Sequence, residues 1–112
     1  MRGITAKRRN AEIEKLIEEI TVDCYNEYEQ LSAFEVTIND AIDGYAKAFY
    51  LDEPVYLVGV NFDQGIYAGL RAQITRQRKK IEVALLDLEI DREEEDLQHL
   101  VEAYKYFVKK LG

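Results

Sequence analysis

The hydrophobic period of this 112-residue chain changes twice, and those changes constrain the fold more than any single motif does. Up to Gly44 the apolar residues recur every three or four positions, from there to about Ile90 they tend to alternate, and after Glu93 the helical spacing returns. A helix advances about 100° per residue and a strand about 180°, so one kind of element cannot satisfy both patterns. The expected architecture is α+β in a single domain. It comprises N-terminal helices over 10–44, a small antiparallel SH3-like or Sm-like β-barrel over 46–91 and a C-terminal helix over 93–111. A chain of this length buries a core without disulfide or metal staples.

In the first segment Ile13, Leu16, Ile17, Ile20, Cys24, Tyr28 and Leu31 share one stripe, which predicts a helix from Asn10 to Gln30. Asp23 and Glu27 are four apart on the flank of that stripe, and Glu29 points to the opposite side if the helix is unbroken. Burying a bare carboxylate is costly. Either the helix ends or bends near Val22 and both groups reach water, or they are paired or hold a ligand. Ser32-Ala33-Phe34-Glu35 fits a capping box and predicts a second helix over 33–43 with Gly44 at its C-terminus. Asp40 and Asp43 lie on its polar side. A tight turn near Leu31 would let them face the carboxylates of the first helix.

The alternating segment supplies strands at Ala46–Tyr50, at Val55–Phe62, and at Leu70, Ala72 and Ile74 interleaved with Arg71, Gln73 and Thr75. Asn61 to Gly65 and Arg76 to Lys80 read as turns, and Ile81, Val83 and Leu85 as the inward face of the next strand. Leu86, Leu88 and Ile90 continue into a short fifth strand. Four or five such strands suit a small barrel, whose closure removes exposed edges. Asp87, Glu89 and Asp91 then project from one side, either as a solvated face or as oxygens that share a cation.

Twenty-two acidic residues against fifteen basic ones give a net charge of -7, which attracts cations and works against general affinity for nucleic acid or anionic membranes. The basic hairpin of Arg76, Arg78, Lys79 and Lys80, with Arg71 one strand earlier, is the contrary signal, and Arg2, Lys7, Arg8 and Arg9 form a short basic arm. The single cysteine excludes an internal disulfide, and the single histidine leaves a His-based zinc site short of ligands. No apolar run approaches a membrane span and no signal-peptide core is visible, so a cytoplasmic protein is expected. The EF-hand pattern fails at Asn39–Gly44, where Ala41 and Tyr50 occupy ligand positions, and again at Asn61–Gly65. No catalytic constellation emerges, and no enzyme activity is expected.

The acidic helix running into Ile20-Thr21-Val22-Asp23-Cys24-Tyr25, then Glu29-Gln30, Asp40, Val55-Tyr56-Leu57-Val58-Gly59, Leu86-Asp87-Leu88-Glu89 and a C-terminal helix with Tyr104 and Phe107 resembles the cyanobacterial calcium-binding protein family CcbP. The resemblance covers most of the chain from about residue 11. It implies a compact barrel flanked by helices that binds Ca²⁺ through surface carboxylates without an EF-hand. Asp23, Glu29, Asp40 and Glu89 match its acidic positions, and Glu27 and Asp87 join them on local geometry. The expected role is a Ca²⁺ buffer or sensor. The alternative is a small-barrel module that binds RNA or a protein partner through the basic hairpin. Oligomeric state is left open.

Overall fold

The computed structural model describes residues 6–63 and 69–111, apart from the side chains of 6–9, 63 and 111. The basic arm and the Asn61–Gly65 turn therefore lie largely outside the described residues. Helix α1 (Ala6–Ile20) and helix α2 (Glu27–Ala41) precede strands β1 (Ala46–Tyr50), β2 (Glu53–Asp63), β3 (Gly69–Arg76) and β4 (Lys79–Ala84). A 3₁₀ turn (Leu85–Asp87), strand β5 (Leu88–Ile90) and helix α3 (Glu95–Leu111) complete the chain. The predicted helix to Gln30 is thus two helices. The break comes at Thr21: the Cys24 N–H bonds back to the Thr21 carbonyl at 3.0 Å, and Asp23 turns left-handed with φ 66°.

All strand pairs are antiparallel, in the order β4-β3-β2-β1-β5. The ladder is open, with β4 and β5 as its edges, so the closed barrel expected from the strand count is not formed. The sheet is nevertheless rolled. Leu88 is in line with Glu53 through Tyr50, and Ala84 is in line with Asn61 through Arg71, eight residues apart along β2. A flat sheet would set the two edges about 19 Å apart across the strands and about 26 Å apart along them. Four residues reach only about 14 Å. The sheet must coil, with the stagger that barrels use.

Rolling gives the sheet a dry inner face. Ala46, Ala48, Val55, Leu57, Val60, Leu70, Ala72, Ile74, Val83, Leu88 and Ile90 are buried there, against Leu31, Phe34 and Ile38 of α2 and Leu97, Val101, Ala103, Tyr104 and Phe107 of α3. Among the described residues no polar or charged residue is buried. β1 covers β2 only from Glu53 to Leu57. Beyond it α2 takes over: Asn39 Oδ1 accepts from the Val60 N–H at 2.8 Å, its Nδ2 donates to the Val60 carbonyl at 2.9 Å, and Glu35 accepts from the Phe62 N–H at 2.9 Å. Two helical side chains thereby replace a neighbouring strand. Gly59 lets the helix approach, since a Cβ there would stand 3.3 Å from Asn39 Oδ1.

Tyr104 ties α3 to the sheet by accepting a 2.8 Å hydrogen bond from the Leu70 N–H, and burial pushes its hydroxyl pKa up while that bond opposes the shift. Tyr104→Phe keeps the ring and orphans the amide. It is expected to cost about 1 to 2 kcal/mol in urea unfolding.

α1 is held more lightly. Glu14 Oε2 accepts from Lys110 Nζ and from the Tyr106 hydroxyl, both at 2.9 Å, and these bonds, Lys110 first, hold its carboxyl below the ordinary value of 4.5. A lowered carboxylate pKa contributes stability above the unfolded value and loses it as pH falls through the folded one. The same contact raises the Lys110 pKa above 10.5, so that contribution disappears only in strong base. Amide exchange in α1 is therefore expected to accelerate, relative to α3, between pH 5 and pH 3. Glu14→Gln should remove most of that pH dependence.

Candidate functional site

The turn at Thr21–Asp23 leads into an extended residue, Asn26, whose side chain accepts from the Glu29 N–H at 2.8 Å. Glu29 reaches back to accept from the Tyr25 N–H at 2.7 Å. This reciprocal cap starts α2, six residues before the Ser32–Glu35 pattern that was expected to do so. Ser32 and Glu35 sit inside the helix instead, where Glu35 serves β2. Cys24 is half-buried beside the cap, its Sγ 3.5 Å from the Glu29 carbonyl.

This corner gathers three of the six predicted carboxylates. Asp23 is exposed in the turn, and Glu27 and Glu29 are exposed in the first turn of α2, where negative charge meets the positive end of the helix dipole. The bend near Val22 is what lets Asp23 and Glu27 reach water. Glu29 already spends one oxygen on the cap.

Asp40 is exposed in the last turn of α2, 13 residues beyond Glu27. At 1.5 Å per residue that is about 20 Å, so no four-carboxylate corner forms. Asp87 lies in the 3₁₀ turn, and Glu89 faces outward on β5 opposite Phe49 of β1. The side-by-side row Asp87, Glu89, Asp91 is broken at both ends. The 3₁₀ turn displaces Asp87, while Asp91 turns to accept from the Glu93 N–H at 2.8 Å ahead of α3.

Among the described residues no group of three or more His, Cys, Asp or Glu side chains is placed to hold a metal ion. The donors suit Ca²⁺ chemically, but the six to eight oxygens of a calcium shell are not assembled around one point. A groove of about 720 Å³ lies elsewhere, between α1 and α3, with Ile13 and Leu16 on its floor and Glu12, Glu95, His99 and Glu102 at its rim. None of the six predicted residues lines it. Nothing local in the sequence shows that α1 and α3 will lie side by side.

The sequence matches no family model and no curated protein. The fold decides the comparison. It is shared with the crystal structure of Anabaena CcbP. The two agree with a TM-score of 0.70 at 16% sequence identity, over 96% of this chain and 95% of that one. The likeness thus takes in both N-terminal helices, the rolled sheet and α3. No helix among the described residues is long and apolar enough to cross a membrane.

Proposed function

We propose that this chain is a non-enzymatic Ca²⁺-binding protein, a buffer or sensor, whose ligands are surface carboxylates rather than an EF-hand loop. The observation that carries this reading is the fold shared with CcbP over 96% of this chain. The rolled sheet is, on this reading, a half-open form of the SH3-like barrel. The α1–α2 corner is the first candidate site, with Asp23, Glu27 and the free oxygen of Glu29 as donors. Water and backbone carbonyls complete the shell. Asp40, and Asp87 with Glu89, are separate secondary positions, too far along their elements to join the corner in this conformation.

Calorimetric titration of chelator-treated protein with Ca²⁺, with Mg²⁺ as competitor, tests the proposal. Saturation at about 10⁻⁷ to 10⁻⁵ M marks a sensor site. Asp23→Asn with Glu27→Gln is expected to weaken it at least about tenfold, as each removes a charged ligand and affinity follows ligand charge. Asp87→Asn with Glu89→Gln should leave it nearly unchanged. No heat and no thermal shift up to about 1 mM would reject calcium as the ligand.

A further inference from the structure

The acidity of the chain is unevenly distributed. Residues 46–84 hold six basic and four acidic residues, whereas the remainder holds nine and eighteen. The strands are therefore a positive body set among acidic helices. Their outward face is also unusually apolar. Alternation along β1 and β2 turns Lys47, Phe49, Pro54, Tyr56 and Val58 outward, and Tyr45 stands beside Tyr56 with ring centroids 5.0 Å apart, edge to face. Tyr45 is 61% exposed and Tyr56 49% exposed. Solvent faces of antiparallel sheets are normally polar.

Cations adjoin these rings. Register places Tyr56 opposite Thr75 of β3, and Thr75 opposite Lys80 of β4, so Lys80 is two strand spacings, about 10 Å, from Tyr56. Arg78 precedes it in the exposed β3–β4 turn, while Lys79 falls on the other face of β4 with Ile81 and Val83. Lys47, Arg71 and Arg76 are held by Glu93, Glu82 and Glu53, at 2.9, 3.7 and 2.7 Å. For Arg78, Lys79 and Lys80 no ion pair is found among the described residues. Lysines and arginines alone would suit any polyanion. The exposed rings beside them select one with free π faces.

We propose that this face binds single-stranded nucleic acid, with bases stacked on Tyr45 and Tyr56 and phosphates on Lys80 and on Arg78 of the adjoining turn. Thr75, between Tyr56 and Lys80, and Gln73, the next outward residue of β3, offer hydrogen bonds to whichever base edges pass over them. A duplex keeps its bases stacked on one another and has nothing to offer the tyrosines. The site is separate from the proposed calcium corner, and its test is run in EDTA so that the two readings fail independently.

The probes are fluorescein-labelled dT15 and U15, followed by anisotropy in 50 mM salt. Saturable binding at about 10⁻⁶ to 10⁻⁴ M is expected, weakening steeply with added salt. Arg78→Glu with Lys80→Glu should weaken it at least about tenfold and flatten the salt slope. Tyr56→Ala should weaken it about fivefold to a hundredfold, the value of one stacked base, while Tyr56→Phe retains it. Thermal melts of the same variants confirm that these exposed positions leave the fold intact. Three results would overturn the proposal: no binding at about 100 μM protein, equal competition by duplex DNA or polyglutamate, or Tyr56→Ala binding like the parent.

Discussion

Phe34→Ala is expected to lower stability by about 3 to 5 kcal/mol, read as a fall in urea midpoint at unchanged slope. Phe34 is completely buried in the middle of α2, with its ring centroid 5.8 Å from that of Tyr104 and 5.2 Å from that of Phe107. Truncation removes the apolar surface and leaves a hole that helix and sheet can only partly close. Phe34→Leu should cost less than half as much, because most of the volume survives. A loss below about 1 kcal/mol for the alanine variant would mean that α2 and α3 do not share one core.

The second large effect is expected at Asn39. Asn39→Leu keeps the branched shape, discourages a replacement water, and strands both the N–H and the carbonyl of Val60. Each orphaned group costs about 1 to 3 kcal/mol when buried, and the half-buried site brings the pair to about 2 to 4 kcal/mol. Asn39→Asp supplies a sharper check. Its carboxylate still accepts from the Val60 N–H but meets the Val60 carbonyl with a lone pair, so protonation should restore the missing donor. Stability of that variant relative to the parent is therefore expected to rise as pH falls toward 4. A flat difference would show that the amide is not bonded as described.

Much of the strand region was legible because alternation is a local property. Ala46–Tyr50 and the Leu70–Ile74 alternation stand where the period put them, while the fifth strand starts only at Leu88, because Leu85 and Leu86 are taken up in the 3₁₀ turn. The helical stripe of α3 was equally plain. Two features hid the rest. The break after Ile20 carries no glycine or proline, and its left-handed residue is Asp23, so an apolar stripe continued across it by coincidence of spacing. The true cap, Asn26 to Glu29, competed with a second pattern at Ser32 to Glu35 that matches the motif equally well.

The Arg76–Lys80 turn stands where it was read, but the Leu51-Asp52 turn was hidden for a similar reason. Leu51-Asp52 and Gln77-Arg78 have φ of 51° and 66°, and of 51° and 70°, without the Asn-Gly signature that ordinarily marks paired left-handed residues. Alternation also says which strands exist without saying whether the two edge strands, β4 and β5, join. The ring stayed open because β5, three residues long, pairs only with β1. As for the candidate site, the sequence showed the acids and their types. Which of them are neighbours was decided by the length of α2, because a helix of 15 residues holds its two ends apart.

The substitution of helical side chains for a strand along β2 has a consequence for how this protein can fail. Residues 58–62 form an edge that is covered only while α2 is docked, since Glu35 and Asn39 occupy the hydrogen bonds another chain would otherwise seek. If α2 peels away, a bare and largely apolar strand edge is offered to the solution, beside a core face already stripped of its cover. α2 is thus a guard against runaway strand pairing as well as a wall of the core, and opening it is the first step toward aggregation.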